Sequence, residues 1–307
     1  MIEDYLKSCP VCNADVFDDL KGFESKNLCK CKACSFVFDK RKPTDEELHE
    51  HYKVYAYSAL KPISPETVKS YHRLLNEFEK YRDTGNILDI GCGQGDFLVE
   101  AKKRGWNVFG VEYSEAAVEL CKSRDIEMRQ GIISKDVFAD ICFDVITSFE
   151  VIEHINTPKE MMEAVSEKLN KDGLFYCTTP NFNALLRYLE KDSFKMIVYP
   201  EHISFYTKKS LRFLGNVHQF KALKVLTTGI DIGRLKAVLK PKQKDITMST
   251  QEMRVSNENI RDLVGSNRFM GLIKGIINFF LTLFGKGDTL KIYWVKNKER
   301  VKGSKRC

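Results

Sequence analysis

The sequence is short of several things, and each shortage narrows what the chain can be. No apolar run reaches the roughly 18 residues expected of a bilayer-spanning helix. The first residues, Met1-Ile2-Glu3-Asp4, lack the basic-then-apolar profile of a secretory leader. The expected compartment is therefore the cytoplasm, with peripheral contact at the inner face of a membrane as a further option. No internal repeat is visible. With 43% hydrophobic and 30% charged residues, the chain is not short of core material, which argues against global disorder. Its 307 residues suggest about two domains.

Acidic residues are scarce at one end. Residues 201–307 carry 22 Lys and Arg against 8 Asp and Glu, a formal +14, whereas residues 1–200 carry 27 against 34, or −7. A basic C-terminal third suits an anionic partner such as a phosphorylated sugar, an anionic lipid or RNA. A solvated basic face that aids solubility explains the same charge.

Ten cysteines in a cytoplasmic chain argue for metal binding or chance rather than disulfides. Cys9-Pro-Val-Cys12 and Cys31-Lys-Ala-Cys34 are two CxxC pairs with 18 residues between them. Each pair points two thiolates at one centre, and two pairs complete a tetrahedral sulfur site for Zn²⁺. Asn13 and Ser35 follow the knuckles, where a turn-prone residue is needed. A segment of this size cannot build its own core, so a metal staple is physically sensible. Four sulfur ligands close the coordination shell, which makes the metal structural. Cys29 is a spare. Cys92, Cys121, Cys142 and Cys177 fall in apolar elements and read as core.

From Asn86 to about Gly229 short apolar strands alternate with amphipathic helices. The strands are Ile87–Ile90, Val108–Val111, Asp144–Thr147 and Leu174–Thr178; the helices are Phe97–Arg104, Glu115–Arg124 and Lys159–Leu169. This is the pattern of βαβ units on a parallel sheet, with a ligand crevice at the carboxyl ends of the strands. Before it, Thr44 with Glu47 marks a capping box, and Ser64-Pro65 opens a helix through Val68, Tyr71, Leu75 and Phe78. Tyr52, Tyr55 and Tyr57 lie in a connector between them. After Leu223–Thr228, residues 231–285 turn basic and then apolar, and Leu290–Val295 reads as a late strand. The expected division is a zinc ribbon at 1–42, a helical connector at 43–85, a core at 86–230, a helical insertion at 231–286, and a last strand with a basic tail at 287–307.

Ile87-Leu88-Asp89-Ile90-Gly91-Cys92-Gly93-Gln94-Gly95 runs from a strand through a glycine turn, and Glu112 ends the next strand 21 residues after Gly91. Glycines allow the sharp turn and close approach of a ligand, and a carboxylate at that distance can hold a ribose diol. The run resembles the class I S-adenosylmethionine-dependent methyltransferases, whose first motif is an acidic residue followed by GxGxG. The likeness continues in Phe143-Asp144-Val145-Ile146, Glu150-Val151-Ile152-Glu153-His154-Ile155 and Asp172-Gly173-Leu174-Phe175. It implies an α/β, Rossmann-like sheet with helices on both faces, plus the zinc ribbon and a helical insertion before the last strand. It also implies an S-adenosylmethionine site at Asp89, Gly91, Gly93, Gly95, Glu112, Tyr113 and Ser148.

A zinc ribbon ending in Cys34-Ser-Phe-Val-Phe38, followed by such a domain, is similar to a microbial group associated with sugar and surface-glycan modification. Tyr199-Pro200-Glu201-His202 resembles the Tyr-x-Glu-His stretch of zinc-containing sugar methyltransferases. This implies a sugar or glycan acceptor, nucleotide-linked or carried on a polyprenyl phosphate, methylated at O or C. His202, oriented by Glu201, is the first candidate base, and His154 is the second. Nucleic acid fits less well. The position after the fourth strand reads Ser148-Phe149-Glu150-Val151, without the Asn/Asp-Pro-Pro-aromatic stretch of amino-methylating enzymes, and the chain has no Pro-Cys pair. RNA, a quinone-like small molecule, or an inactive zinc-ribbon interaction protein remain as alternatives. Phe269–Phe284 is apolar but for a stripe at Gly271, Lys274, Gly275, Asn278 and Thr282. It reads either as a helix packed on the sheet or a second subunit, or as a helix meeting a membrane or a polyprenyl lipid. Oligomeric state is not legible.

Overall fold

The computed structural model describes residues 5–44, 46–48, 62–239 and 268–296, with the side chains of 268–271 excepted. The tyrosine connector, His49 and His51, the middle of the insertion (240–267) and the tail from 297 lie outside the described residues.

Two sheets share the chain. The smaller begins with β1 (Phe17–Asp19), β2 (Leu28–Cys31) and β3 (Val37–Asp39), which pair antiparallel in sequence order. Its fourth strand comes from far along the chain: β9 (Ser204–Phe205) pairs with β3, Val37 against Phe205 and Phe38 against Ser204. The zinc-ribbon segment expected at 1–42 is therefore completed by residues of the core.

The larger sheet contains β4 (Asn86–Ile90), β5 (Asn107–Glu112), β6 (Glu127–Gln130), β7 (Phe143–Phe149), β8 (Leu169–Pro180), β10 (Phe220–Thr228) and β11 (Thr289–Lys296). The order is β10-β11-β8-β7-β4-β5-β6, with β11 antiparallel to both its neighbours. β6 is absent from the strands expected above. Only Met128 of its four residues is buried, so this edge strand shows no alternation.

Period-2 alternation sorts the sheet's side chains into two layers. Ile87, Val108, Val145 and Tyr176 pack with helices α1 (Pro65–Phe78), α2 (Asp96–Lys102) and α3 (Glu115–Lys122). Leu88, Ile90, Ile146 and Phe175 pack on the other face with α4 (Pro158–Lys168) and α6 (Lys208–Val217); α5 (Leu185–Glu190) lies between β8 and β9. Helices thus cover both faces. The starts follow their caps. Ser64 accepts a hydrogen bond from the Thr67 amide, and Thr44 and Glu47 bond reciprocally as a capping box. Of the cysteines expected in the core, Cys121 and Cys177 are fully buried and Cys92 is partly so, whereas Cys142 is partly buried and disulfide-bonded.

The insertion contributes α7 (Ile232–Leu239) and α8 (Arg268–Phe284). The latter lies along β10 with Asn278 and Thr282 of its polar stripe inward, while Lys274 and Gly275 are exposed. Asn278 Oδ1 accepts from the Gly229 amide at 2.8 Å, and Thr282 Oγ1 donates to Thr227 O at 2.8 Å.

Candidate active site and four-cysteine centre

The chain leaves β4 toward β5 and β6, then returns to β7 on the other side of β4. This switch of direction opens a crevice at the carboxyl ends of β4 and β7. A cavity of about 490 Å³ fills it, lined by Gly91, Glu112, Tyr113, Ile132, Phe149, His154 and Glu201 among others.

The glycine turn forms the edge nearest β5. Gly91 has φ 68° and Gly95 φ 77°, conformations that favour glycine. A Cβ on Gly91 would stand 2.5 Å from Val151 Cγ2, and one on Gly95 2.6 Å from Ile126 Cδ1. The Gly93 amide donates to Glu112 Oε2 at 2.9 Å and the Ser114 amide to Oε1 at 3.1 Å, so the carboxylate is held at the cavity rim by two backbone donors. Asp89 sits in the sheet behind the turn. Its Oδ1 accepts from Thr147 Oγ1 at 2.8 Å. Burial pushes its carboxyl up to about 7, against that hydrogen bond, with the Glu112 charge adding to the rise. Ser148 does not line the cavity: it is fully buried opposite Cys177, and the wall is formed by Phe149, Glu150 and Val151, at and just beyond the end of β7.

These residues fit S-adenosylmethionine. The volume lies in the range of small-molecule sites, about 300–1,000 Å³. The glycine cradle has no room for a side chain, and a rim carboxylate faces the space where a ribose diol would bind. Glu112 and the Gly91–Gly95 backbone would hold the cofactor.

The facing wall is built from the turn after β7 and the loop before β9. His154 ends a short 3₁₀ turn (Ile152–His154), and its Nδ1 donates to the Glu201 carbonyl at 2.7 Å. His202 Nδ1 donates to the Met196 carbonyl at 2.8 Å, and the two rings meet edge to face with centroids 4.9 Å apart. His154 lines the cavity, whereas His202 stands behind it. Burial, reinforced by His202, holds the His154 imidazole down at about 4, so it is neutral near pH 7. Glu153 is buried, its Oε2 accepting from Thr179 Oγ1 at 2.9 Å and its Oε1 standing 4.0 Å from His154 Nε2. Burial raises its carboxyl well above the usual range. Glu153, His154 and His202 offer three ligand atoms within 4.8 Å of one another, a spacing that also suits one small cation. Glu153 was not among the sequence candidates. A signal existed: Glu-His occurs twice, at 153–154 and 201–202, and the fold brings the two pairs together. His72 bonds Glu100 at the surface, and His218 ends α6; neither touches the cavity.

The cysteines converge as their spacing predicts. Cys9 and Cys34 sulfurs are 3.6 Å apart, Cys12 and Cys31 3.5 Å, and all four lie within 4.8 Å of one another. Zn–S bonds of about 2.3 Å set tetrahedral S···S edges of about 3.8 Å, so the donor set fits Zn²⁺. The Asn13 amide bonds Cys9 O and the Ser35 amide bonds Cys31 O, each with positive φ (61° and 64°), giving two matching knuckles. Cys29 is excluded: its thiol donates to Asp19 Oδ1 at 3.4 Å.

A glycine turn, a rim carboxylate and a cavity at the switch point define a class I S-adenosylmethionine-dependent methyltransferase fold. A family model described as a methyltransferase domain matches residues 65–225, just over half of the chain, and the chain belongs to that family. It is 31% identical over 104 residues to a ubiquinone biosynthesis O-methyltransferase of Idiomarina loihiensis, covering 32% of this chain and 43% of that one. It is 28% identical over 116 residues to a "Probable S-adenosylmethionine-dependent methyltransferase" of Mycolicibacterium smegmatis, covering 36% and 44%. The chain thus spans less than half the length of these curated relatives. Among solved structures, a SAM-dependent methyltransferase from Archaeoglobus fulgidus is similar at 21% identity and TM-score 0.48, over 74% of this chain and 93% of that one. The plantazolicin methyltransferase BamL is similar at 15% identity and TM-score 0.47, over 83% and 92%.

Glu112→Ala removes the rim carboxylate, and Gly93→Val forces a β-branched residue to φ 53°. Both variants should bind S-adenosylmethionine much more weakly by calorimetry; unchanged affinity contradicts this cofactor site. Asp89 titrates near 7 when folded and near 3.8 when unfolded. The folded state therefore holds the extra proton, and this group's contribution to stability is lost as pH rises from about 4 to about 7. The melting temperature of Asp89→Asn relative to wild type should rise between pH 5 and pH 8; a constant difference contradicts the shift.

Proposed function

We propose that the chain methylates a hydroxyl of a sugar, nucleotide-linked or carried on a polyprenyl phosphate, using a histidine base. The observation that carries this reading is the meeting of Glu153-His154 with Glu201-His202 beside the cavity that Gly91 and Glu112 share. Bound S-adenosylmethionine supplies a methyl group already activated on a sulfonium. The chain's own work is to hold an acceptor oxygen and take its proton. His154 keeps its Nδ1 proton on the Glu201 carbonyl, so Nε2 is the nitrogen that accepts. His202 is anchored to Met196 O and aligns the His154 ring from behind. The base assignment moves accordingly from His202 to His154. Phe149 and Val151 give the cavity apolar walls that exclude water.

The sugar reading draws its support from the Tyr199–His202 stretch and the basic C-terminal third. A second reading is a phenolic hydroxyl of a quinone-like acceptor, favoured by the likeness to ubiquinone O-methyltransferases. An extract screen with isotope-labelled S-adenosylmethionine tests both. Label is expected in a glycan or sugar-nucleotide fraction, and label confined to quinones or RNA rejects the sugar. On the acceptor so found, His154→Ala should lower turnover about 10²–10⁴-fold with cofactor affinity nearly unchanged. His202→Ala should cost less. The reverse ranking in folded variants returns the base to His202.

The four cysteines, in this reading, hold one structural Zn²⁺ whose task is to fix the histidine loop. Ile203, next to His202, accepts from the Asp39 amide of β3 at 2.9 Å and donates to Glu153 O at 3.0 Å. Cys12→Ser should lose about one equivalent of zinc by elemental analysis. Turnover should fall with it while cofactor affinity holds, because the cofactor contacts lie at Gly91–Gly95 and Glu112. Full zinc content in that variant contradicts the assignment.

A further inference from the structure

Helix α8 is turned the wrong way round for a helix that serves only its own sheet. An ordinary amphipathic helix buries its apolar arc and shows its polar stripe to water. Here the C-terminal half of the polar stripe is inward, while Lys274 and Gly275 are exposed. Asn278 and Thr282 face the edge strand β10, where they meet the backbone of Gly229 and Thr227. The Thr227 hydroxyl donates to Leu281 O at 2.6 Å in return. The apolar arc is outward: Leu272, Ile276, Phe279, Phe280, Leu283 and Phe284 are each between 50% and 67% exposed. Contiguous exposed patches of this kind mark an interaction surface.

Charge decides what kind of surface covers it. From Leu263 to Gly287 the sequence has no Asp or Glu and carries Arg268, Lys274 and Lys286, of which Lys274 also lies near Glu66 of α1. At the C-terminal end, Lys208 donates to Thr282 O, and Lys286 sits 3.9 Å above the ring of Tyr188, itself 47% exposed. Cations beside an apolar arc, with an amphipathic tyrosine at its end, match the headgroup region of an anionic bilayer. A second copy would bring one +14 C-terminal third against another. The 28 residues at 240–267 contain no aromatic side chain with which to cover the phenylalanines. The helix has 17 residues, about 25 Å at 1.5 Å per residue, too short to cross the roughly 30 Å core and suited to lying in the interface. Among the described residues no helix is long and apolar enough to span.

We infer that the outward face of α8 docks the protein on an anionic lipid surface. The inference does not depend on the acceptor's identity. Docking has a direction as well. Asn181, just past the end of β8, donates to Gly285 O at 3.1 Å, so the C-terminal end of α8 meets the edge of the sheet on which the cavity opens. The cavity mouth and the lipid-facing helix therefore lie toward the same end of the sheet.

The full-length chain should sediment with vesicles of equal parts phosphatidylglycerol and phosphatidylcholine, and much less with phosphatidylcholine alone. The triple variant Phe279→Gln, Phe280→Gln, Phe284→Gln alters only exposed side chains, so its melting temperature should hold while vesicle binding falls at least about tenfold. Lys274→Glu with Lys286→Glu should weaken binding to the anionic vesicles alone. Wild-type protein that stays in the supernatant with both vesicles overturns the inference, whether a second copy or the segment 240–267 covers the face. So does a triple variant that binds as well as wild type. So does a wild-type dimer, seen by analytical ultracentrifugation, that the triple variant turns into a monomer.

Discussion

The backbone of Ile203 and the short strand after it hold the two halves of the molecule in register. Ile203 donates to Glu153 O on the methyltransferase side and accepts from the Asp39 amide on the cysteine side, while β9 pairs with β3. Each bond contributes only about 0.5–1.5 kcal/mol on its own. Their importance is positional. Residues 199–203 have no helix or long strand to fix them, yet they carry Glu201 and His202. The four-cysteine module supplies the missing rigidity, because its sheet is the surface on which β9 can pair. Phe36 against Tyr206, with ring centroids 4.9 Å apart, adds apolar contact at the same seam. A cluster placed on so little regular structure needs such support if its rings are to keep one orientation.

The opposite edge of the sheet shows what happens when backbone needs outrank burial. β10 is an edge strand, and an uncovered edge presents unpaired backbone groups. Asn278 and Thr282 satisfy part of that edge through their side chains, which turns these two residues inward and leaves the phenylalanines of α8 outward. An inward rotation of the helix would bury more apolar area at about 25 cal/mol per Å², yet strand the polar groups now bonded, at about 1–3 kcal/mol each. A lipid surface, as inferred above, would relieve the conflict without moving the helix.

Much of the site was legible in the residues because the signals are local. The glycine turn, Glu112 and the two CxxC knuckles each depend on spacing within a few residues or on one βαβ step. The structure has Gly91 and Gly95 at positive φ, and brings Cys9, Cys12, Cys31 and Cys34 together. Ser148 is buried short of the cavity because the wall begins at the last residue of β7, Phe149, and where a strand ends is not legible in its alternation. The strand β6 escaped notice because an edge strand with one buried residue has no pattern to read.

The sequence by itself determined the class of fold, the glycine turn and the cysteine cluster, since each follows from periodicity or residue spacing along the chain. Only the tertiary structure decided which histidine lines the cavity, that Glu153 is the buried carboxylate beside it, and which way α8 faces. Those outcomes depend on where residues 47 or more positions apart, His154 and Glu201 among them, come to rest against each other. Packing of distant elements sets that, and no short window of sequence encodes it.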